Sequence, residues 1–172
     1  MITYYVAASM DGYIATENGG LEWLESAGKG GEGGDYGYSR FLANIDVIVM
    51  GRKTYDACIK FPQWPYPGKE VWVLTRQNGL VPKHNERFAV FNAGQWRMES
   101  DNGLVYLAGG GIAAKQFLEA KLVEKIILTT FPVLLGKGLP LFVGGYPSSQ
   151  WSLQSSEHFK SGLIQATYLK NL

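Results

Sequence analysis

The sequence predicts an α/β fold with a mainly parallel sheet and an antiparallel pair of strands at one edge. Short apolar runs alternate with short helical patterns between residues 46 and 131, which is typical of βαβ units. Two β-rich segments flank Lys160-Ser161-Gly162 near the C-terminus, and this arrangement indicates a hairpin. The 172 residues are 46% hydrophobic, which fits one domain, residues 1–172, with a substantial core.

Apolar, β-rich runs predict the strands in chain order. Residues 2–8 form the first run, Asp11-Gly12 predicts a turn, and residues 13–15 continue briefly as a strand. Further strands are expected at residues 47–50, 71–74, 88–91, 104–108, 125–131, 151–159 and 163–169. The run at 47–50 has no polar position, so we expect a core strand there.

Helical patterns occupy three of the gaps between these strands. Apolar residues spaced three or four apart predict a helix over residues 36–44. Residues 53–59 predict a short helix closed by a proline-rich segment, and residues 112–120 predict another after a glycine turn. Residues 26–34 contain five glycines, so we expect a flexible loop rather than a packed element.

Composition and charge exclude several classes of function. The net charge of +1 argues against bulk attraction to nucleic acids or anionic membranes. The single cysteine, Cys58, excludes an internal disulfide framework, and two histidines with one cysteine cannot form a zinc site. The N-terminus lacks the features of a signal peptide, and no run reaches 18 apolar residues. We therefore expect a cytoplasmic protein without a metal, whose partner is a small molecule.

The strongest local signal is Gly109-Gly110-Gly111-Ile112-Ala113-Ala114, between a predicted strand and a predicted helix. Free N–H groups and the helix dipole favour a phosphate at such a helix start, and glycine lets a ligand approach the backbone. The segment satisfies the dinucleotide fingerprint G-x-G-x-x-A, but the next strand ends at Phe131-Pro132 without the usual acidic residue. A standard Rossmann fold is therefore excluded. A phosphate site and a tight turn without a ligand remain as alternatives.

Two further segments follow predicted strands and carry cations. Met50-Gly51-Arg52-Lys53-Thr54-Tyr55 begins a helix, where cations are unfavourable for the helix itself, so an anionic partner is expected. Leu74-Thr75-Arg76 offers a hydroxyl and a guanidinium that suit a phosphate monoester. The alternatives are a solvated basic turn and an exposed loop arginine. Because ligands bind at the carboxyl ends of parallel strands, all three segments would face one cleft.

These segments resemble the motifs of the dihydrofolate reductase family in order and spacing. Further matches are Ala7-Ala8-Ser9-Met10-Asp11-Gly12-Tyr13-Ile14-Ala15, Pro67-Gly68-Lys69 and the stretch over residues 132–142. The Ser-x-Asp-Gly pattern and the late stretch are similar to the reductase domain of the bifunctional deaminase-reductases of bacterial riboflavin biosynthesis. The resemblance covers residues 2–169 and implies a three-layer αβα fold.

The resemblance also implies NADPH as the cofactor. In the family, the Gly-Arg-x-Thr turn and the triple-glycine turn hold the pyrophosphate, the residues after the next strand contact the 2′-phosphate, and backbone groups near the start hold the nicotinamide. The implied cofactor-binding residues are Ala7, Ile14, Gly51, Arg52, Lys53, Thr54, Leu74, Thr75, Arg76, Gly109, Gly110, Gly111, Ile112 and Ala113. A cis peptide bond between Gly109 and Gly110 is also implied.

The resemblance further implies two residues on the substrate side. The carboxylate on the first helix of dihydrofolate reductases matches Asp35, sixteen residues before Gly51, and its partner threonine matches Thr129. A lone carboxylate in an apolar cleft would have a raised pKa and could help protonate an imine-like nitrogen. Alternatively, Asp35 only caps the following helix. Lys69, in place of the arginine that grips the folate glutamate, and the glycine-rich residues 26–34 argue against folate.

Together these features predict an NADPH-dependent reductase that delivers a hydride to a C=N or iminium-like carbon. The substrate would be pterin-like, such as dihydrofolate, or a ribosylaminopyrimidine of riboflavin biosynthesis, although the chain lacks the metal-ligand motifs of a deaminase domain. The alternative is a non-catalytic nucleotide-binding or regulatory module on the same scaffold, which would not need Asp35 in the cleft. The resemblance also implies a homodimer, with Trp151 and the terminal hairpin as the expected contact.

Overall fold

The computed structural model describes residues 1–24 and 35–171. The strands are β1 (Ile2–Ser9), β2 (Tyr13–Ala15), β3 (Val47–Gly51), β4 (Glu70–Leu74), β5 (Glu86–Ala89), β6 (Val105–Gly109), β7 (Val123–Phe131), β8 (Leu139–Pro140), β9 (Trp151–His158) and β10 (Ile164–Lys170). The helices are α1 (Tyr38–Ala43), α2 (Arg52–Cys58), α3 (Ala93–Asn102) and α4 (Gly111–Glu119). The expected glycine-rich loop at residues 26–34 lies outside the described residues.

Eight strands form one sheet in the order β5-β4-β3-β6-β1-β7-β10-β9. The pairs from β5 to β7 are parallel, whereas β10 runs antiparallel to both β7 and β9. Strands β2 and β8 form a separate antiparallel pair. The expected mainly parallel sheet with a C-terminal antiparallel hairpin is therefore confirmed. Within the described ranges, no helix is long and apolar enough to cross a membrane.

Apolar side chains pack on both faces of the sheet. On one face, Phe117 of α4 and Trp96 of α3 pack against buried residues of the central strands. On the other face, Phe41 of α1 and Tyr55 of α2 pack against a second buried cluster. Because helices cover both faces, the fold has the three αβα layers that the resemblance implied.

Helix α3 is the main element that the sequence pattern did not predict. Most of its side chains are polar, and Trp96 is its one buried residue, so it lacks an apolar stripe. Its start is fixed by a cap, because the Asn92 side chain accepts a hydrogen bond from the Gln95 N–H at 3.2 Å. Tertiary burial of one large indole therefore stabilises a helix whose sequence carries only a weak signal.

Candidate functional site

The three motif segments meet at the carboxyl edge of the sheet. Strand β3 lies between β4 and β6, and all three strands are parallel. Within this register Gly51 pairs with Leu74, and Met50 pairs with Gly109. The chain therefore leaves these strands at neighbouring points, and the segments that follow them face a common region, as the spacing predicts.

The triple-glycine turn needs glycine at two positions for different reasons. Gly109 has φ +106°, a conformation that L side chains rarely adopt. A Cβ atom at Gly111 would lie 2.8 Å from the Val143 side chain and 2.9 Å from the Pro140 carbonyl oxygen. The expected cis bond between Gly109 and Gly110 is wrong, because the described residues contain no cis peptide bond and the turn is made by the positive φ of Gly109.

A hydrogen bond joins the triple-glycine turn to the Gly-Arg-x-Thr turn. The Gly110 N–H donates to the Thr54 hydroxyl oxygen in the first turn of α2, at 2.8 Å. In α4, the Ala114 N–H donates to the Gly110 carbonyl oxygen at 3.0 Å. The N–H groups of Gly111 and Ile112 come before this first bond, so they have no acceptor within the helix. The two helix starts therefore form one surface with free backbone donors beside a fixed hydroxyl.

The side chain of Arg52 is held in place by two neighbours. Its Nε donates to Asp56 Oδ1 at 2.8 Å, and its Nη1 donates to Gln77 Oε1 at 2.9 Å. This ion pair offsets part of the unfavourable interaction between a cation and a helix start, so Arg52 itself does not require an anionic ligand. Lys53 and Arg76, in contrast, are exposed and make no ion pair or side-chain hydrogen bond within the described part of the chain.

The loop after β4 is also ordered by backbone contacts. The Thr75 N–H donates to the Ala89 carbonyl oxygen at 2.9 Å, and the Thr75 hydroxyl accepts from the Gln77 N–H at 3.0 Å. Since Gln77 also contacts Arg52, the loop is tied to the first turn of α2. This arrangement leaves the Arg76 guanidinium exposed beside a fixed turn.

Near the end of β1, Ser9 and Asp11 of the Ser-x-Asp-Gly pattern form a hydrogen-bonded clamp with the loop that follows β7. The Ser9 hydroxyl donates to Asp11 Oδ1 at 2.6 Å, and the carboxylate also accepts from the N–H groups of Leu135 at 3.2 Å and Gly136 at 2.7 Å. These bonds, with the one from Ser9 strongest, lower the pKa of Asp11 below its usual value. The clamp fixes the turn before β2, the strand that carries Ile14.

A polar cluster lies near the carboxyl end of β1 and includes Thr129. The side chains of Ala7, Thr129 and Gln165 share a face, because these residues are register partners on β1, β7 and β10. The Gln165 amide nitrogen donates to the Tyr5 hydroxyl oxygen at 2.8 Å and to Thr129 Oγ1 at 2.9 Å. Thr129 is only 4% exposed, so its hydroxyl is a buried group satisfied by Gln165.

Tyr5 and Gln165 were not among the residues that the sequence singled out. Tyr5 lies two residues before Ala7, so the alternation of a strand places both side chains on one face of β1. This signal was present in the sequence. The contact with Gln165 depends on the register between β10 and β7, which no local motif reveals.

The structure places Asp35 at the start of α1 rather than in an apolar cleft. Its side chain is exposed, and its carboxylate accepts from the N–H groups of Gly37 at 3.1 Å and Ser39 at 2.6 Å. Hydrogen bonds from the Ser39 side chain and backbone lower the pKa of Asp35. The expectation of a raised pKa is therefore wrong, because the helix start, and not apolar burial, determines the surroundings of this carboxylate.

Lys69 is occupied by a structural contact at the far edge of the sheet. Its Nζ donates to the carbonyl oxygens of Ile45 at 2.7 Å and Ala43 at 3.3 Å. It also lines a cavity of about 550 Å³ with Trp64 and Arg87, at the amino ends of β4 and β5. This cavity lies at the opposite ends of the strands from the glycine turns.

Sequence comparison relates the chain to one family and to two proteins of Bacillus subtilis strain 168. The RibD C-terminal domain family matches residues 98–165. YwjB, whose function is uncharacterised, is 36% identical over 174 residues, covering 96% of this chain and 95% of YwjB. YyaP, also uncharacterised, is 27% identical over 95% of this chain and 91% of YyaP.

Solved structures show the same fold over the length of the chain. A protein assigned to riboflavin biosynthesis in Shewanella sp. PV-4 is 31% identical, with a TM-score of 0.87 and coverage of 99% of both chains. Dihydrofolate reductase from Enterococcus faecalis, complexed with NADP(H), is 17% identical, with a TM-score of 0.71 over 100% of this chain and 97% of that one. The deaminase–reductase of Thermotoga maritima is 16% identical, with a TM-score of 0.72 over 99% of this chain and 56% of that one.

Proposed function

Because the chain belongs to the RibD C-terminal domain family and has the dihydrofolate reductase fold, we propose that it is a reductase that uses NADPH. The observation that carries this proposal is the bond between the Gly110 N–H and the Thr54 hydroxyl. It joins two glycine turns into one surface at the carboxyl edge of the sheet, where nucleotides bind in α/β folds. The exposed cations of Lys53 and Arg76 flank that surface.

The groups at this edge fit the phosphates of NADPH. The free N–H groups of Gly111 and Ile112, at the start of a nine-residue helix, would donate to the diphosphate, and Arg52 would add a fixed guanidinium. Thr75 and Arg76 would hold the 2′-phosphate, because a hydroxyl and a guanidinium together suit a phosphate monoester. When bound, NADPH supplies a hydride to the substrate.

The nicotinamide end would lie beside Ala7 and Ile14. Ala7 is partly exposed, although its strand β1 is central in the sheet, and this exposure marks an open cleft on that face. The clamp made by Ser9 and Asp11 would hold the wall of this cleft, since it fixes the turn between β1 and β2. The role of these residues is to position the ring and to exclude water around it.

For the substrate, we favour a ribosylaminopyrimidine over a folate. The reaction would reduce a C=N or iminium-like carbon in either substrate. Lys69 binds two backbone carbonyl oxygens, so it is not free to grip a glutamate carboxylate as folate recognition requires. The Shewanella relative assigned to riboflavin biosynthesis is also more similar to this chain than the Enterococcus dihydrofolate reductase is.

The proposal is tested by NADPH binding and oxidation. Fluorescence titration should show NADPH binding, and mixing with 5-amino-6-(5-phosphoribosylamino)uracil should oxidise NADPH faster than mixing with dihydrofolate. Binding without oxidation of NADPH by either compound would favour a non-catalytic nucleotide-binding module. No binding of NADPH would contradict the proposal as a whole.

We also propose that the protein forms a homodimer through its terminal hairpin. Strand β9 is the edge of the sheet and most of its side chains are exposed, including Leu153 at 56%. A long exposed edge strand is a surface that proteins commonly cover. Sedimentation analysis of the wild-type chain and of Leu153→Lys tests this: the wild type should sediment as a dimer and the variant as a monomer.

A further inference from the structure

We infer that the Tyr5 hydroxyl, oriented by Gln165, is the hydrogen-bond donor that polarises the acceptor atom of the substrate. This inference rests on the proposed function, because it concerns the substrate side of the same cleft. It assigns to a neutral phenol the role that the family resemblance assigned to the Asp35 carboxylate. Three observations support it: the position of Tyr5, the hydrogen bonds around its oxygen atom, and the neutral groups that contact its hydroxyl.

Tyr5 lies in the cleft on the same face of β1 as Ala7. The ring of Tyr5 packs edge-on against Phe41 at 4.9 Å and Tyr38 at 5.6 Å, so α1 fixes its orientation. Its side chain is only partly buried, although β1 lies in the middle of the sheet. A ring held on one side by α1 and accessible on the other can direct its hydroxyl group toward a ligand beside Ala7.

The hydrogen bonds around the Tyr5 oxygen leave its own hydrogen available. The Gln165 amide nitrogen lies near three acceptors, the Tyr5 oxygen at 2.8 Å, Thr129 Oγ1 at 2.9 Å and the Tyr36 carbonyl oxygen at 3.4 Å, and the two short bonds use both amide hydrogens. The Tyr5 O–H group must therefore donate in another direction. Among the described residues, the Tyr36 carbonyl oxygen lies at 3.4 Å, beyond the usual range for an O–H donor, and the Thr129 hydroxyl, which already accepts from Gln165, is the other polar group near it. A substrate oxygen or nitrogen at normal distance would be a better acceptor.

The groups in direct contact with the Tyr5 hydroxyl are uncharged, and the charged group that acts on it from further away is the Asp35 carboxylate. The groups that contact its hydroxyl are an amide, a threonine hydroxyl and a backbone carbonyl. Burial, together with the smaller effects of Tyr38 and of the Asp35 carboxylate, raises the pKa of Tyr5 above its ordinary value, so the phenol keeps its hydrogen at neutral pH. The cluster thus offers a neutral donor to charge that develops on the substrate during reduction, which is how fixed hydroxyl groups assist catalysis.

The experiment compares Tyr5→Phe, Gln165→Leu and the double variant with the wild-type chain. Tyr5→Phe keeps the ring that packs on α1, so it should fold normally. With 5-amino-6-(5-phosphoribosylamino)uracil or dihydrofolate as probe, it should lower kcat/KM for NADPH oxidation about 10²-fold, as loss of a positioned donor does. NADPH affinity should not change. The matched control is Tyr168→Phe, since Tyr168 packs on the opposite face of the sheet and should keep wild-type activity.

Gln165 is a positioning residue in this scheme, and the double variant tests that role. Gln165→Leu alone should lower kcat/KM about tenfold, but it should have no further effect when Tyr5 is already phenylalanine, because it acts through the Tyr5 hydroxyl. If the loss in kcat/KM of the double variant equalled the product of the two single losses, Gln165 would not act through Tyr5. Normal turnover by Tyr5→Phe would overturn the inference as a whole. A wild-type chain that does not bind NADPH would overturn the proposed function instead. If the wild-type chain binds NADPH but oxidises NADPH with neither probe, both the inference about Tyr5 and the proposed reductase function are wrong.

Discussion

Replacement of Thr54 by valine tests whether the two glycine turns act as one binding surface. Valine has nearly the shape of threonine but cannot accept the hydrogen bond from the Gly110 N–H, which is 2.8 Å long and partly buried. An unsatisfied, partly buried N–H group costs about 1–3 kcal/mol. We expect the free energy of unfolding to fall by about 1–2 kcal/mol. NADPH affinity should fall about tenfold, because the triple-glycine turn loses its fixed position.

The assay combines urea unfolding with fluorescence titration of NADPH. Thr54→Ser keeps the hydroxyl group and serves as the matched control, so it should retain most of the stability and most of the NADPH affinity. If Thr54→Val lost stability but bound NADPH as tightly as the wild type, the bond to Gly110 would be a purely structural contact. That result would refute the reasoning that the tie organises the binding surface.

Three further predictions concern Arg76, Asp35 and Glu86. Arg76→Ala should weaken NADPH binding by about 1.5–3 kcal/mol and leave NADH binding nearly unchanged in parallel titrations, because its guanidinium would contact only the 2′-phosphate; equal losses would remove it from that site. Asp35→Asn should leave turnover near wild type, since the asparagine side-chain oxygen can still accept a hydrogen bond from the Ser39 N–H group; a 10²-fold loss in steady-state kinetics would restore the carboxylate mechanism. Glu86→Gln should lower the free energy of unfolding by about 2 kcal/mol, because the buried Glu86 carboxylate accepts from Tyr55 and two backbone N–H groups.

The Glu86 carboxylate also determines in which direction the stability of the fold changes with pH. Burial alone would raise its pKa, but the hydrogen bonds from the Tyr55 hydroxyl and two backbone N–H groups lower it below the usual 4.5. A carboxylate whose pKa is lower in the folded protein than in the unfolded chain stabilises the fold. This stabilisation is fully present above the pKa of the unfolded chain and is lost as the pH falls through the pKa of the folded protein. The free energy of unfolding, measured in urea, should therefore fall more steeply below about pH 4.5 for the wild type than for Glu86→Gln.

The core of the fold was predictable because its strands are continuous apolar runs. All residues of β3 before Gly51 are buried, and such a run has few alternatives to a central strand. Helix α3 was not predictable, because a single buried residue, Trp96, produces no periodic pattern. The two-residue strand β8 is likewise defined by its pairing with β2 and by nothing in its own sequence.

The proposed phosphate side of the candidate site was more accessible to sequence reasoning than the proposed substrate side. Its residues are consecutive in the chain, and the glycines and cations follow apolar runs, so local patterns are sufficient. The contact of Tyr5 with Gln165 joins residues 160 positions apart through the register of three strands. The surroundings of Asp35 also depend on a local turn geometry: its carboxylate was expected in an apolar cleft, but it is exposed and accepts hydrogen bonds from the Gly37 and Ser39 N–H groups.

We propose above all that a nicotinamide dinucleotide phosphate binds at the carboxyl edge of the sheet. The most direct test is an NMR titration of the ¹⁵N-labelled wild-type chain with NADPH, which follows each backbone N–H group. We expect the largest shifts at Gly51 and at residues 109–112, with little change around Lys69 and Arg87 at the opposite edge. Shifts centred on the cavity beside Lys69, or none at the glycine turns, would contradict it.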